Sequence, residues 1–192
     1  MGTGRVISRP GVVAARSGDI HCLKPHRQAD MLDLSPATPV VPGPFVAEQP
    51  LRTAVSRHRN PGEAARELAG ALRHADLGFV LFFCSAEYPL ASLSAALNAA
   101  FDGVKVAGCT TAGEITPEGY GRGCIVAIGL DHRHFAVSSA LVEDLAGFDL
   151  IRAQRLVDGL LDDCRGRALA PVGEHSFALT LLDGLSSCEE QV

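Results

Sequence analysis

The stretch Gly78-Phe-Val-Leu-Phe-Phe-Cys84 is apolar from end to end. A strand of that composition has no face to give to water, so it must be covered on both sides, and parallel sheets produce that pattern. The flanking sequence supplies covers. Asn60-Pro61 is a helix start, with Asn as N-cap and Pro in the first helical position. Ala64, Leu68 and Leu72, with Ala65 and Ala69 alongside, then form one apolar helical stripe that ends near His74. Pro89 opens a second helix in which Leu90, Leu93, Leu97 and Phe101 recur at helical spacing, a pattern that reads as core packing.

The remaining elements alternate in the same way. Leu51 to His58 reads as a first strand, and Asp102-Gly103 marks a turn into a short strand, Val104 to Ala107. Cys124 to Leu130 and Phe135 to Val142 are strand-like runs joined by Asp131-His-Arg-His134, which predicts a hairpin. A final amphipathic helix runs from about Asp149 to Cys164, and Phe177 to Leu182 reads as the last strand. The expected class is α/β, with a mixed, mostly parallel sheet flanked by helices. With 192 residues, 47% hydrophobic and 20% charged, the chain has room for one core. Residues 1–49 are basic, aperiodic and proline-rich, with four prolines between Ser35 and Pro44. They read as a poorly ordered tail ahead of a folded domain over 50–192.

The chemistry concentrates in Val106-Ala-Gly-Cys-Thr-Thr-Ala-Gly-Glu-Ile-Thr-Pro-Glu-Gly-Tyr120. Gly108 and Gly113 remove side chains, so that backbone N–H groups can converge on a bound group. Thr110 and Thr111 offer hydroxyls, and Glu114 is the only charge between Lys105 and Glu118. Thr111-Ala-Gly-Glu114 also has capping-box spacing, which would open a helical turn. A site here would lie at the carboxyl end of a strand, where crevices open in α/β sheets. If the last strand runs parallel to Val104–Ala107, Asp183, Ser186 and Ser187 form the second wall, although Asp183-Gly184 is equally a plain turn. Gly119, Gly121 and Gly123 follow a loop and precede a strand, the wrong order for a dinucleotide fingerprint, and read as a turn.

The segment Gly108-Cys-Thr-Thr-Ala-Gly-Glu-Ile115, followed by Gly119-Tyr120 and an apolar strand, resembles the signature of the FIST sensory domain. Ala54-Val-Ser-Arg57, Pro61-Gly-Glu-Ala-Ala65, Phe82-Phe-Cys-Ser85 and Leu182-Asp-Gly-Leu-Ser186 fit the same resemblance, which spans roughly residues 50–190. It implies a non-enzymatic, intracellular input domain. Such a domain binds a small ligand, with amino acids suggested, and acts on a histidine kinase, a cyclic-di-GMP cyclase or phosphodiesterase, or a chemoreceptor. The site residues would be Gly108, Cys109, Thr110, Thr111, Gly113, Glu114, Asp183 and Ser186. A subgroup with a similar Cys-Thr-Thr-Ala-Gly-Glu-Ile stretch resembles haem-binding nitric-oxide sensors, for which His58 and His74, nearest the expected core, would be the candidate ligands. In the family, the chain continues beyond Glu189-Glu-Gln-Val192 into a C-terminal half, so the domain is expected to be a truncated one.

Composition narrows the alternatives. A formal charge of −5 argues against a nucleic-acid footprint. No run approaches 18 apolar residues, and charges interrupt every apolar stretch near the start, so neither a membrane span nor a signal peptide is expected and the location is cytoplasmic by default. The six cysteines contain no Cys-x-x-Cys and read as free thiols. As a nucleophile, Cys109 has no histidine near it in sequence, and Glu114 is a weak base for a hydroxyl unless burial raises its pKa. His21, Cys22 and His26 in the tail, and His132 with His134, are further potential metal ligands that read as incidental.

Overall fold

The structure is a computed structural model, and it describes residues 49–142 and 149–181 together with the backbone of residues 7–8 and 11–15. Its strands are β1 (Ile7–Ser8), β2 (Gly11–Ala15), β3 (Leu51–Ser56), β4 (Leu77–Ser85), β5 (Lys105–Thr111), β6 (Glu114–Thr116), β7 (Gly119–Gly121), β8 (Ile125–Asp131), β9 (Phe135–Ser139) and β10 (Ser176–Phe177). The helices are α1 (Pro61–Leu72), α2 (Leu90–Ala100) and α3 (Leu150–Gly166). The strands form a five-stranded sheet in the order β1-β5-β4-β8-β3, a three-stranded sheet β10-β2-β9, and the β6–β7 hairpin.

The apolar run sits where its composition requires. β4 lies between β5 and β8, and its alternate side chains enter two different cores. Val80, Phe82 and Cys84 point to one face, where they pack with Leu68 and Leu72 of α1 and Leu93 and Leu97 of α2. Phe79 and Leu81 point to the other and pack with Leu130 of β8 and Val137 of β9. The second sheet is therefore the cover on that face, and α3 closes it from outside through Cys164 against Ala136. The local signals for the helices are realised. The Asn60 side chain accepts hydrogen bonds from the N–H groups of Gly62 and Glu63, and that of Asp149 accepts from the N–H of Arg152.

The α/β class and the mixed sheet are as expected, but parallel pairing does not dominate. Among the described residues, β4–β5 is parallel, whereas β1–β5, β4–β8 and β3–β8 are antiparallel. Apolarity on both faces followed from a central position under two layers, not from parallel neighbours. The expected hairpin over 124–142 is also corrected. β8 and β9 are adjacent in sequence but belong to different sheets, because the Asp131–His134 turn carries the chain from one layer to the next. The pairing partner of β9 is β2, which comes, like β1, from the stretch read as tail.

Two further strand boundaries differ. β5 does not stop at Ala107 but continues to Thr111, in register with Phe79–Ser85. The last strand is limited to Ser176–Phe177 and pairs antiparallel with β2, so it is not a neighbour of β5. Gly119–Gly121, read as a turn, is a strand facing Glu114–Thr116, although Gly119 at φ 111 and Gly123 at φ 63 do hold the turn conformations at either end.

Candidate functional site

Extending β5 to Thr111 changes what the central stretch can do. The expected cradle of N–H groups at 108–111 is not formed, because these residues run alongside β4 in the sheet ladder. Both glycines have packing reasons. A Cβ on Gly108 would lie 2.0 Å from the Phe82 carbonyl oxygen and 2.7 Å from its ring, and one on Gly113 would lie 2.0 Å from the Tyr120 hydroxyl. The capping box is likewise corrected. The Thr111 hydroxyl does accept from the Gly113 N–H at 3.2 Å and donates to Glu114 Oε1 at 2.8 Å, but the turn leads into β6 and no helix follows. The spacing was right because the same hydroxyl–carboxylate pairing that starts a helix also closes a tight turn between strands.

Glu114 is the centre of this local structure. Only 2% of it is exposed, and its second oxygen, Oε2, accepts from the Cys124 thiol at 3.3 Å. Among the described residues, a buried carboxylate is thus held by two neutral donors, one from the end of β5 and one from the start of β8. It fastens the β6–β7 hairpin to the carboxyl edge of the sheet. Burial, and then the hydrogen bond to and charge of Glu114, push the Cys124 thiol up, so Cys124 stays a proton donor. Burial also raises the half-buried Cys109 thiol, which is the opposite of what activates a nucleophile. Thr110 is half-buried beside Cys84 in the ladder.

Next to this carboxylate, at the same edge, lies a recess of about 360 Å³ lined by Val55, Arg57, His58, Glu67 and Glu118. Val55 near the end of β3 and Arg57 and His58 just beyond it supply the first three, α1 supplies Glu67, and the β6–β7 turn supplies Glu118. The Ser56 hydroxyl donates to Glu67 Oε2 at 2.6 Å, and His58 Nε2 lies 3.8 Å from the same oxygen. Arg57 Nη2 reaches Glu118 Oε2 at 3.2 Å. The Thr116 hydroxyl bonds Glu118 at 2.9 Å, and that bond, with the turn N–H and Arg57, holds the Glu118 carboxyl below its usual range. Tyr88 ties down the His58 backbone by donating to its carbonyl at 2.6 Å. The two features are contiguous, since a Cβ on Gly121 would meet both Cys124 Sγ at 3.0 Å and Arg57 Nη1 at 3.6 Å.

Of the residues singled out in the sequence, Thr111, Gly113 and Glu114 come together with Cys124. Gly108, Cys109 and Thr110 sit one to three residues back along β5. Asp183 and Ser186 lie outside the described residues. His58 and His74 do not approach one another. His58 is exposed beyond the end of β3, its carbonyl joined to Tyr88 past the carboxyl end of β4, while His74 is half-buried just before the amino end of β4. The recess residues Arg57, Glu67 and Glu118 were not singled out. Glu67 reads as the polar side of an amphipathic helix and Arg57 and Glu118 as charges in connections, and only the convergence of β3, α1 and the hairpin makes them a set.

A helix-covered mixed sheet, with a recess walled by both signs of charge at one edge, defines an α/β domain built around an edge site. Among the described residues, no helix is long and apolar enough to cross a membrane. The family model of the FIST N domain matches residues 78–192, more than half of the chain, and the chain belongs to that family, whose domain is a sensory domain of signalling proteins. The matched span begins at β4 and includes Glu114 and Glu118; the wall formed by Arg57, His58 and Glu67 precedes it. No curated protein and no solved structure matches the chain.

Proposed function

We propose that this domain binds a small metabolite carrying both charges, of the amino-acid kind, in the recess at the carboxyl edge of β4, and that it does so without chemistry. The recess carries the reading. Its volume falls at the lower end of the range for small-molecule sites, and its walls bring Arg57 and His58 opposite Glu67 and Glu118. A ligand carboxylate has its natural partner in the Arg57 guanidinium, and a ligand ammonium in the two acids. The thiols support a non-catalytic reading: Cys109 and Cys124 are both pushed toward the neutral form, the opposite of an activated nucleophile.

The route to an output runs through Glu118. A ligand carboxylate on Arg57 competes with the Arg57–Glu118 bridge, which joins β3 to the tip of the hairpin. Ligand binding therefore favours one hairpin position over another, and the exposed Ile115 and Tyr120 move with it. A histidine kinase, a cyclic-di-GMP enzyme or a chemoreceptor is the partner class that would read such a shift. A haem reading has less support. The candidate histidines lie at opposite ends of β4, and the recess beside His58 is walled by charges, whereas a macrocycle needs an apolar slot. These residues do not fit the group.

Calorimetric titration with the proteinogenic amino acids and with their amides tests the proposal. One or a few free amino acids should bind, the matching amide should bind at least about tenfold more weakly, and Arg57→Ala should remove that discrimination. Equal affinity for acid and amide, or silence across the panel in folded protein, would overturn it.

A further inference from the structure

We propose that the opposite end of β4 carries a second site, for a divalent transition ion of the zinc type, with His74, Asp76 and Asp131 as its protein ligands. One imidazole nitrogen of His74 and one carboxylate oxygen each of Asp76 and Asp131 all lie within 4.8 Å of one another. Ligand atoms about 2.0–2.2 Å from a tetrahedral zinc ion stand about 3.4 Å apart, so closing the set takes side-chain adjustments of up to about 1.5 Å. The donors choose the ion class. A nitrogen with two carboxylates suits zinc and its neighbours, whereas calcium and magnesium take oxygen throughout.

The scaffold under these side chains is fixed by backbone pairing. Leu77 pairs with Asp131 across β4–β8, which sets the His74–Asp76 connection beside the end of β8. The Asp131 N–H donates to the Pro50 carbonyl at 3.0 Å, and the His132 N–H donates to the Asp76 carbonyl at 2.8 Å. A Cβ on Gly78 would lie 2.6 Å from His132 Cβ, so the missing side chain is what lets the two segments close. His132 Nδ1 turns to the Asp76 carbonyl at 2.8 Å, which takes it away from the cluster. Of the histidine pair flagged in the sequence, His134 stays near, with Nδ1 3.7 Å from Asp131 Oδ2.

A cationic side chain already sits between the two carboxylates. Asp131 is 2% exposed, and the guanidinium of Arg133 spans the two acids, with Nη2 2.8 Å from Asp131 Oδ2 and 3.3 Å from Asp76 Oδ2. A buried carboxylate requires such compensation. The side chain that supplies it is 44% exposed, and its Nε and Nη2 both reach the Asp131 carboxylate. Arg133 is the competitor a metal ion must displace: the ion would take the guanidinium's place between the same two acids, with His74 as the added ligand.

Zinc titration of the full chain, stripped beforehand with a chelator, tests this. The expected result is one equivalent bound, a dissociation constant raised at least about tenfold in both His74→Ala and Asp76→Asn, and a lowered one in Arg133→Gln. His74 and Asp76 lie on a partly exposed connection, so these variants test the site without disturbing buried Asp131, and circular dichroism verifies that each is folded. Cobalt(II) spectra separate this site from the tail residues His21, Cys22 and His26: the proposed ligands give no thiolate-to-cobalt charge-transfer band. Unchanged affinity in both His74→Ala and Asp76→Asn, weaker binding in Arg133→Gln, a thiolate band, or no binding at all would each overturn the proposal.

Discussion

At the scale of single residues, Glu114 has two connected roles, and they predict different things. It is a buried anchor for Thr111 and Cys124, so Glu114→Ala leaves two donors without acceptors and should cost about 1–3 kcal/mol in urea unfolding. Glu114→Gln keeps an acceptor in the same place and should cost less. If Glu114→Ala unfolds like the parent protein, the carboxylate is not an anchor and its burial has another cause. Cys84 gives a second prediction. Its burial, with Glu114 and Cys109 nearby, pushes its thiol up from 9.0 to about 12. Between those values, the unfolded chain releases the proton while the folded chain retains it, so Cys84 leaves stability untouched below pH 9.0 and lowers it progressively as pH rises toward about 12. Urea midpoints below and within that window should show the fall, and Cys84→Val, similar in size but without a proton to lose, should reduce it. The sequence made Glu114 visible because it is a lone charge among small residues. It could not show Cys124 as its partner, since the contact depends on how β8 returns beside β4.

At the scale of elements, sequence signals were strongest where the cause is local. The Asn60 cap, the apolar stripe of α1 and the double-sided apolarity of β4 all act within a few residues of one another. Asn60→Ala should accordingly cost about 1 kcal/mol and be measurable as a lower thermal midpoint, since Asn60 accepts from two N–H groups at the start of α1. β5 was misread from Gly108 onward for the opposite reason. Gly-Cys-Thr-Thr has the small, polar composition of a loop, and only the facing strand Phe82–Ser85 makes it a strand. Gly108 is where this shows most sharply. Gly108→Ala places a methyl 2.0 Å from the Phe82 carbonyl and against its ring, so strands at the middle of the sheet must separate. The loss should be about 1–3 kcal/mol or more. A variant as stable as the parent would mean that β4 and β5 are not held in this register.

At the scale of the whole molecule, the layers explain both the misread hairpin and the position of the sites. Asp131–His134 is short enough for a hairpin, but β9 leaves for the second sheet because its partner, β2, comes from the far amino end of the chain. Nothing local encodes that choice. One consequence is that the two ends of β4 become different environments: a charged recess under a hairpin at the carboxyl end, and a His-Asp-Asp cluster where the chain changes layers at the other. Among the described residues, the hairpin is fastened to the rest of the fold by Glu114 at its start and the Arg57–Glu118 bridge at its turn. Of these, the bridge is exposed and the Glu114 contacts are buried, so the turn end should open more readily than the anchored end. Ligand in the recess acts on the weaker fastening. Amide hydrogen exchange over residues 114–121 should therefore change on binding, with the largest difference near Glu118 and Gly119 and little at Glu114. Arg57→Ala lacks the bridge, so its turn should show the ligand-bound exchange pattern whether or not ligand is present. A uniform change over the whole hairpin, or one that persists in Arg57→Ala, would mean that the signal does not pass through the bridge, and the hairpin would lose its place as the element linking the recess to a partner.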